Sequence, residues 1–345
     1  MAEYETDLLR EQLAVANREI ERLRSMLGLS DESADAGRSW EATLFASAEP
    51  LPTVDESSPN ASKLELFRLL FAGRRDVYAL RWANDSTGKS GWSPAVLGGW
   101  TRAKSAKPRH YLELTDEVLS AHLRGETAAG IYPLLHGDRT RLLACDFDGK
   151  GWALDVLAYV DACRDADVPV ALERSRSGDG AHAWTFFAEE IKASTARRLG
   201  AGLLRRATAR RVELDLASYD QLFPSQDFMP KGSFGNLIAL PLAGHARRSG
   251  NTMFLDPSSL DPWPDQWAFL SSLHRLSADA AESAASTVGD FDLGPDARGW
   301  RQFAVTGGPA APSEVRAQLG GQLSVERIGL PPSLLAELKH LASLH

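Results

Sequence analysis

Apolar residues near the N-terminus recur at alternating intervals of four and three positions, which is the a/d pattern of a heptad helix. The residues of this seam are Leu9, Leu13, Ala16, Ile20, Leu23 and Leu27. The pattern predicts a helical segment over residues 1–28. Two interpretations stay open for such a short helix: a weak coiled coil between copies of the chain, or an amphipathic helix that packs on its own domain.

The periodic pattern stops after this helix. Residues 29–62 are rich in Ser, Asp, Glu, Ala and Pro, as in SDESADAG and EPLPTVDESSPNAS. A segment of this composition buries too little apolar surface to offset the entropy of ordering its backbone. We therefore predict a flexible acidic linker over residues 29–62 and a folded body that begins at residue 63.

The body, residues 63–276, alternates between strand-like and helix-like patterns. Apolar runs such as VYALRW, RLLACDFD, VPVALERS and AHAWTFF predict strands, and helical spacing covers Trp152–Asp165 and residues 194–211. GIYPLL and RLLACDFD are joined by HGDRT, a hairpin signature, so neighbouring strands are expected to be antiparallel. This mixture predicts an α+β fold. Residues 277–345 are rich in Ala, Gly, Ser and Pro, which predicts a linker with a short C-terminal helix.

Composition favours an ordinary globular protein over membrane-spanning, secreted or disulfide-rich classes. The 345 residues are 43% hydrophobic and 24% charged, ordinary values for a globular protein, with a net charge of −8. No apolar run reaches the roughly 18 residues that a membrane span needs, and the charged N-terminus is unlike a secretory signal. Two cysteines are too few for a disulfide framework or a four-thiolate zinc site, so we expect a cytoplasmic protein without zinc.

An acidic pair follows a buried strand in the middle of the body. Asp146 and Asp148 flank Phe147 at the end of RLLACDFD, and alternate residues of a strand share a face. Two neighbouring carboxylates repel each other unless a cation lies between them, and hard divalent ions prefer such oxygen ligands. Two ions held in this way support in-line displacement at phosphorus. The alternative interpretation is a strand end whose acids cap the following helix.

A glycine-rich turn separates the next two predicted strands. It begins with Arg174, Arg176 and Ser177 and leads through Gly180 into His182. Backbone amides in such a turn form an anion-binding concavity, and two guanidinium groups add charge suited to a triphosphate. The turn therefore predicts a nucleotide-binding site.

A third polar segment, SYDQLFPSQD followed by PKGSFGNLIALPL, offers another carboxylate. Asp220 follows an aromatic residue that can anchor it on the sheet, whereas Asp215 and Asp227 are rival candidates. Lys231 and Asn236 lie in the loop that leads to the last strand and are suited to phosphate or base contacts.

Nucleic-acid contact requires a local basic surface, because the chain as a whole is acidic. The predicted helix over residues 194–211 carries six arginines and no acid. The candidates for phosphate contacts are Arg197, Arg198, Arg205 and Arg206 on this helix, with Arg247 and Arg248 just after the last strand. The alternative is an ordinary solvated face.

Taken in order, these motifs resemble the archaeo-eukaryotic primase superfamily, the primase-polymerases, whose pattern is D-x-D/E, small-x-His and hydrophobic-Asp. The corresponding segments here are DFD, GAH and YD. The similarity is closest to the primase domain of TOTE conflict systems and covers roughly residues 64–276. One departure is the absence of cysteine from residues 101–114, where many relatives carry a cysteine-rich insert. Many relatives also continue into a helicase and a nuclease.

The resemblance implies an α+β catalytic core with an RRM-like half. It implies that Asp146, Asp148 and Asp220 hold two Mg²⁺ or Mn²⁺ ions, and that His182, Arg174, Arg176, Ser177 and Lys231 hold the incoming dNTP or NTP. The implied partners are a DNA or RNA template-primer and a helicase or nuclease. The implied activity is that of a primase or template-directed polymerase. The alternatives are an inactive nucleotide-binding or nucleic-acid-binding module of a conflict system and a metal-dependent nuclease.

Overall fold

The computed structural model describes residues 50–84, 86–99, 109–210, 218–229 and 231–289, and these residues form two antiparallel sheets with helices packed on them. The strands are β1 (Ala79–Asn84), β2 (Lys89–Pro94), β3 (Ala129–Ile131), β4 (Arg139–Asp148), β5 (Ala171–Arg174), β6 (Gly180–Lys192), β7 (Tyr219–Phe223), β8 (Ile238–Ala239) and β9 (Phe254–Leu255). The helices are α1 (Asn60–Leu70), α2 (Asp116–Arg124), α3 (Trp152–Asp165), α4 (Ala193–Arg210), α5 (Gly244–Arg247), α6 (Gln266–Ser271) and α7 (Ala278–Val288). The expected α+β class is confirmed.

Two predicted segments lie outside the described residues: the N-terminal helix over residues 1–28 and the short helix at the C-terminus. Among the helices that the structure does describe, none combines the length and the apolar character that crossing a membrane requires.

The smaller sheet has the strand order β2-β1-β3-β8. Its β1–β2 hairpin pairs Arg81 with Trp92, so these two side chains share one face of the sheet. Ala79 lies on the same face and belongs to a small apolar cluster with Val77 and Tyr132. Leu80 lies on the opposite face and packs against the main core. The face that bears Arg81 is therefore distinct from the one that packs on the main core.

The larger sheet has the order β7-β4-β6-β5-β9 and carries the acidic motif. Its centre is the long β4–β6 pair, in which Leu143 faces Thr185 and Asp146 faces His182. On one face, Phe147 packs against Tyr159 of α3 with ring centroids 5.7 Å apart. The main core lies against the other face. Successive side chains of RLLACDFD therefore alternate between two faces of the sheet. One face packs against helices, and the other packs against the main core.

An aromatic layer fills the core at the end of α1. The ring of Phe71 lies 5.3 Å from Trp184, 5.4 Å from Phe186 and 6.2 Å from Phe254, measured between centroids. Apolar packing on this face continues along β6 to Trp184. The next residue of β6 on the same face is His182, where the buried surface becomes polar.

The segment before α1 is packed on the body, which differs from the flexible linker predicted up to residue 62. Val54 is 2% exposed, and its amide donates to Ser271 Oγ at 2.9 Å. The Glu56 amide donates to Asp265 Oδ2 at 2.8 Å. Apolar Val54 and these two polar contacts anchor residues that composition alone marked as linker. The packed body therefore begins near residue 50.

The packed body also extends past the boundary predicted at residue 276. Helix α7 begins after Ser277, whose hydroxyl accepts from the Ala280 amide, and it packs on α4. Thr195 at the start of α4 donates from Oγ1 to Glu282 Oε2 at 2.7 Å. Val288 of α7 lies against Gly202 of α4. A Cβ added to Gly202 would lie only 2.3 Å from Val288 Cγ2. A glycine on α4 therefore allows the close approach of the two helices.

A buried histidine couples α2 to the smaller sheet and should make stability depend on pH. His122 Nδ1 accepts from the Ala129 amide at 3.1 Å, and Nε2 donates to Pro241 O at 2.8 Å. Burial lowers the pKa of His122 from 6.5 to about 4. Between these pH values the unfolded chain binds a proton that the folded chain does not, so stability falls as pH falls.

We expect the unfolding free energy of the His122→Gln variant to depend less on pH between 6.5 and 4. In the wild-type protein, His122 lowers the unfolding free energy by up to roughly 3 kcal/mol as the pH falls through this range. Urea unfolding at several pH values measures this. His136→Gln is the control, because its side chain is 79% exposed. An unchanged slope in His122→Gln would contradict the assignment.

Candidate active site

Three ionisable side chains form a row across adjacent strands of the larger sheet. His182 on β6 is paired with Asp146 on β4 and with Glu173 on β5. Paired residues in antiparallel strands place their side chains on the same face. The histidine therefore lies between two carboxylates, at the point where apolar packing ends.

The two carboxylates contact different nitrogens of the imidazole ring. His182 Nδ1 lies 2.9 Å from Glu173 Oε2, and Nε2 lies 3.4 Å from Asp146 Oδ1. Burial opposes a charge on His182, but Glu173 and Asp146 outweigh burial and raise its pKa to about 9. Both carboxylates therefore favour the protonated ring. Burial raises the pKa of Asp146 to about 6; His182 opposes this shift, and the charges of Asp220 and Asp148 add to it.

Asp148 lies at the end of β4 on the same face as Asp146, as the alternation of the sequence predicts. Its Oδ1 accepts from the Gly149 amide at 2.9 Å. Gly180 on β6 faces Asp148, and a Cβ at Gly180 would come within 2.5 Å of Phe147 O and 3.1 Å of Asp148 Oδ1. The glycine of the GAH motif thus leaves the space in which the Asp148 carboxylate lies.

The preferred third carboxylate, Asp220, reaches the same face from β7. Its neighbour Tyr219 pairs with Phe147 and is buried on the helical face, so Asp220 lies on the side of Asp146. Burial, followed by the charge of Asp148, raises the pKa of Asp220. The start of β7 is held by Asp155 of α3, whose Oδ2 accepts from the Ser218 amide at 3.1 Å and from Ser218 Oγ at 2.6 Å.

The rival acids are placed differently. Asp227 accepts a hydrogen bond from Arg197 Nη1, and the Arg197 side chain is only 3% exposed. This ion pair gives Asp227 a structural role that accounts for its position. Asp215 lies outside the described residues.

The carboxylates suit a divalent cation by donor type and by the face that they share. Within the described ranges, no three His, Cys, Asp or Glu side chains are close enough to constitute a ready-made metal cage. Asp146, Asp148 and Asp220 nevertheless act on one another, because the charges of Asp148 and Asp220 raise the pKa of Asp146. A cation among them relieves this repulsion. These residues therefore fit Mg²⁺ or Mn²⁺ as oxygen ligands.

The glycine-rich turn lies beside the carboxylates. It is closed by a hydrogen bond from the Ser175 amide to Gly180 O at 2.8 Å and by one from the Gly178 amide to Ser175 O at 3.1 Å. Ser177 Oγ lies 3.0 Å from Ser175 Oγ, so the hydroxyls are held within the turn. The turn is tied to the neighbouring loop by Asn251, whose Nδ2 donates to Arg176 O at 3.2 Å. Its backbone is therefore held by hydrogen bonds within the protein.

Basic side chains flank the turn. The Arg174 guanidinium lies 6.0 Å from the centroid of the Trp152 ring at the start of α3. Arg176 is half-buried, and burial together with the nearby charge of Arg81 lowers its pKa. Arg81 comes from the smaller sheet, where it donates to Ser90 Oγ at 2.8 Å. The two sheets thus both contribute positive charge beside the turn.

The loop residues predicted for nucleotide contact differ in their surroundings. Lys231 is exposed. Asn236 is engaged with the end of β7: its Oδ1 accepts from the Ser225 amide at 3.1 Å, and its Nδ2 donates to Leu222 O at 3.1 Å. The side-chain amide of Asn236 therefore holds its own loop in place, and of these two residues Lys231 is the exposed one.

Most of the predicted basic stripe of α4 is engaged within the body. Arg197 pairs with Asp227, and Arg198 pairs with Glu282 of α7. Arg205 donates to Val288 O at 2.7 Å and Arg206 to Thr287 O at 2.6 Å. Arg205 and Arg206 thus stabilise the last turn of α7, whose carbonyls lack helical partners. The phosphate-contacting role of these arginines stays a prediction, and Arg205 is exposed. Arg247 is half-buried and Arg248 is exposed.

Two side chains near the site were not anticipated from sequence, Glu173 and Arg81. Glu173 is the one acid in the apolar strand VPVALERS, and an acid in such a strand is a usable signal for a buried polar contact. Arg81 gave no such signal, because only the arrangement of the two sheets brings it near Arg176.

We expect Gly180→Ala to reduce activity at this site, because its Cβ would collide with Phe147 O and crowd the Asp148 carboxylate. Overpacking of this kind costs about 1–3 kcal/mol. Thermal unfolding and nucleotide incorporation measure the two effects. Gly137→Ala is the control: its φ is +74° and nothing lies within 4 Å of an added Cβ, so it strains only a distant turn. Equal activity in both variants would contradict the role of Gly180.

Comparison with known proteins shows the family of the chain. A solved structure, the polymerase domain from Mycobacterium tuberculosis Ligase D in complex with DNA, is 13% identical and has a TM-score of 0.29, with 69% of this chain and 92% of that chain covered. A likeness at that TM-score supports no further conclusion. No curated protein matches the chain. The family model for the archaeo-eukaryotic primase domain of the TOTE conflict system matches residues 62–284, and the chain therefore belongs to that family.

Proposed function

We propose that the protein is a metal-dependent nucleotidyltransferase that acts as a primase or template-directed polymerase. The observation that carries this proposal is the position of Asp146, Asp148 and Asp220 on one sheet face, with His182 beside them. Family membership supports the same class of reaction. A site with neighbouring carboxylates and adjacent basic side chains suits transfer of a nucleotidyl group from a triphosphate, which carries several negative charges.

In this proposal, Asp146, Asp148 and Asp220 hold Mg²⁺ or Mn²⁺. The bound ions supply neutralisation of the charge that develops at the transferring phosphorus and lower the pKa of the attacking hydroxyl. The carboxylates can take this role because Asp146 is largely shielded from water, with 19% of its side chain exposed, and the glycine-rich turn lies beside it. Charge–charge interactions in such a setting are stronger than in bulk water.

The incoming dNTP or NTP binds beside the carboxylates. His182 contacts the triphosphate through Nε2, since Nδ1 is engaged by Glu173. Arg174, Arg176, Lys231 and the amides of the glycine-rich turn add charge and hydrogen bonds. The primer 3′-hydroxyl then attacks the α-phosphorus, a new P–O bond forms, and the bond to the β-phosphate breaks with release of pyrophosphate.

Primer extension tests the proposal against its alternatives. The full chain is incubated with a primed DNA or RNA template, dNTPs or NTPs, and Mg²⁺ or Mn²⁺. Addition of nucleotides to the primer supports the proposal. A gel shift without extension would favour a binding module, and shortening of the primer would favour a nuclease. The same assay on an unprimed template distinguishes priming from extension.

We further propose that the protein works on its template together with a helicase or nuclease of a conflict system, in keeping with the name of its family. A helicase that opens duplex DNA would supply the single-stranded template that this reaction consumes. Extension on a duplex with and without such a helicase tests the coupling, and equal extension in both cases would contradict it.

A further inference from the structure

A buried acid has no part in the reaction as described so far. Glu173 on β5 is 1% exposed. Burying a carboxylate is costly unless hydrogen bonds compensate for the lost hydration. Both compensating bonds reach one oxygen: His182 Nδ1 lies 2.9 Å from Glu173 Oε2, and Trp184 Nε1 donates to it at 2.8 Å. Glu173 is therefore held in place from two sides.

The strand register makes this arrangement rigid. Glu173 is paired with His182 across β5 and β6, and Trp184 lies two residues further along β6 on the same face. The Trp184 ring is in turn packed against Phe71 in the core, at 5.3 Å between centroids. The packed core thus fixes Trp184, Trp184 fixes the Glu173 carboxylate, and the carboxylate fixes the imidazole ring of His182.

We propose that Glu173 is a positioning residue for the nucleotide site: its carboxylate accepts the Nδ1–H of His182 and so holds Nε2 toward the triphosphate beside Asp146. This inference rests on the proposed function, in which His182 contacts the triphosphate. A carboxylate on one ring nitrogen fixes both the proton and the orientation of an imidazole. Without it, the ring has to find its productive orientation at each binding event.

Three variants of the full chain test the role of Glu173. The affinity for a deoxynucleoside triphosphate is measured by calorimetric titration in Ca²⁺, and KM and kcat are measured by primer extension. We expect Glu173→Gln to weaken nucleotide binding by about tenfold, in the range typical for residues that orient a functional histidine, and to raise KM more than it lowers kcat. We expect His182→Ala to weaken binding at least as much.

The third variant, Trp184→Phe, is the matched control. It removes the other hydrogen bond to Glu173 and leaves the bond to His182 in place. We expect it to lose clearly less nucleotide affinity than Glu173→Gln, because the bond between Glu173 and His182 remains. A loss equal to that in Glu173→Gln would attribute the effect to packing and overturn the inference. Wild-type affinity in Glu173→Gln beside a weakened His182→Ala would overturn it as well.

A measurement on the unaltered protein covers the case in which Glu173→Gln fails to fold. Long-range ¹⁵N NMR of histidine-labelled protein reports which ring nitrogens carry a proton. We expect Nδ1 of His182 to be protonated at neutral pH, and an unprotonated Nδ1 would overturn the inference. Absence of nucleotide binding by the wild-type protein would instead overturn the proposed function and the triphosphate contact. The NMR result would still decide whether Glu173 accepts the Nδ1–H of His182.

Discussion

Replacing Asp146 with asparagine should reduce nucleotide incorporation by about a thousandfold or more and leave the fold intact. Asparagine keeps the shape of the side chain but loses the charge, and removing one member of a shared set of anionic ligands weakens charge stabilisation throughout the transfer. The fold should tolerate the change, because burial already raises the pKa of Asp146 to about 6, so its charge is costly in the free protein. Single-turnover primer extension in Mn²⁺ measures the loss.

A surface acid provides the matched control for this variant. Asp161 accepts a hydrogen bond from Arg164 at 2.8 Å on the exposed side of α3. Exposed pairs of this kind contribute less than about 1 kcal/mol, so Asp161→Asn should change neither activity nor stability. Near wild-type extension by Asp146→Asn would show that the carboxylate is not required, and the proposed catalytic site would then be wrong.

The second large effect concerns the choice of the third carboxylate. We expect Asp220→Asn to lose incorporation to a degree similar to Asp146→Asn, with little change in stability, because Asp220 lies on the same sheet face as Asp146 and is exposed. We expect Asp227→Asn to keep its turnover and to lose roughly 2 kcal/mol of stability, since it leaves the buried Arg197 without this partner. Extension assays and urea unfolding of both variants measure the two quantities.

The contrast between the two variants is what decides the assignment. An inactive Asp227→Asn beside an active Asp220→Asn would reverse the roles. Loss of activity in both, with unchanged stability in Asp227→Asn, would place both acids at the reaction centre and would contradict the structural role of the Arg197–Asp227 pair.

The central part of the site was predictable because local patterns determine it. The alternation in RLLACDFD places Asp146 and Asp148 together on one face whatever the rest of the fold does. The hairpin-like turn between two strands likewise brings His182 to the same end of the sheet. The helix Trp152–Asp165 was predicted with the bounds that the structure has. In each case the signal spans a few consecutive residues.

What the sequence could not indicate comes from contacts that are distant in sequence. The run of arginines predicted a basic surface on α4, but no local signal indicated that Arg205 and Arg206 would donate to carbonyls of α7, about 80 residues later. The partner of Asp227 is 30 residues away, so the rival acids could not be ranked by partner. Glu173 was overlooked because its importance depends on strand register, which a single strand does not reveal.

The close packing of α7 on Gly202 has a practical consequence for handling this protein. Val288 lies against α4, which covers the helical face of the larger sheet, while the carboxylates lie on the other face. A fluorophore or an immobilisation handle attached directly after residue 289 would therefore be joined on the side of the sheet away from the site. Surface-tethered molecules prepared in this way should leave their catalytic face open to template and nucleotide in single-molecule experiments.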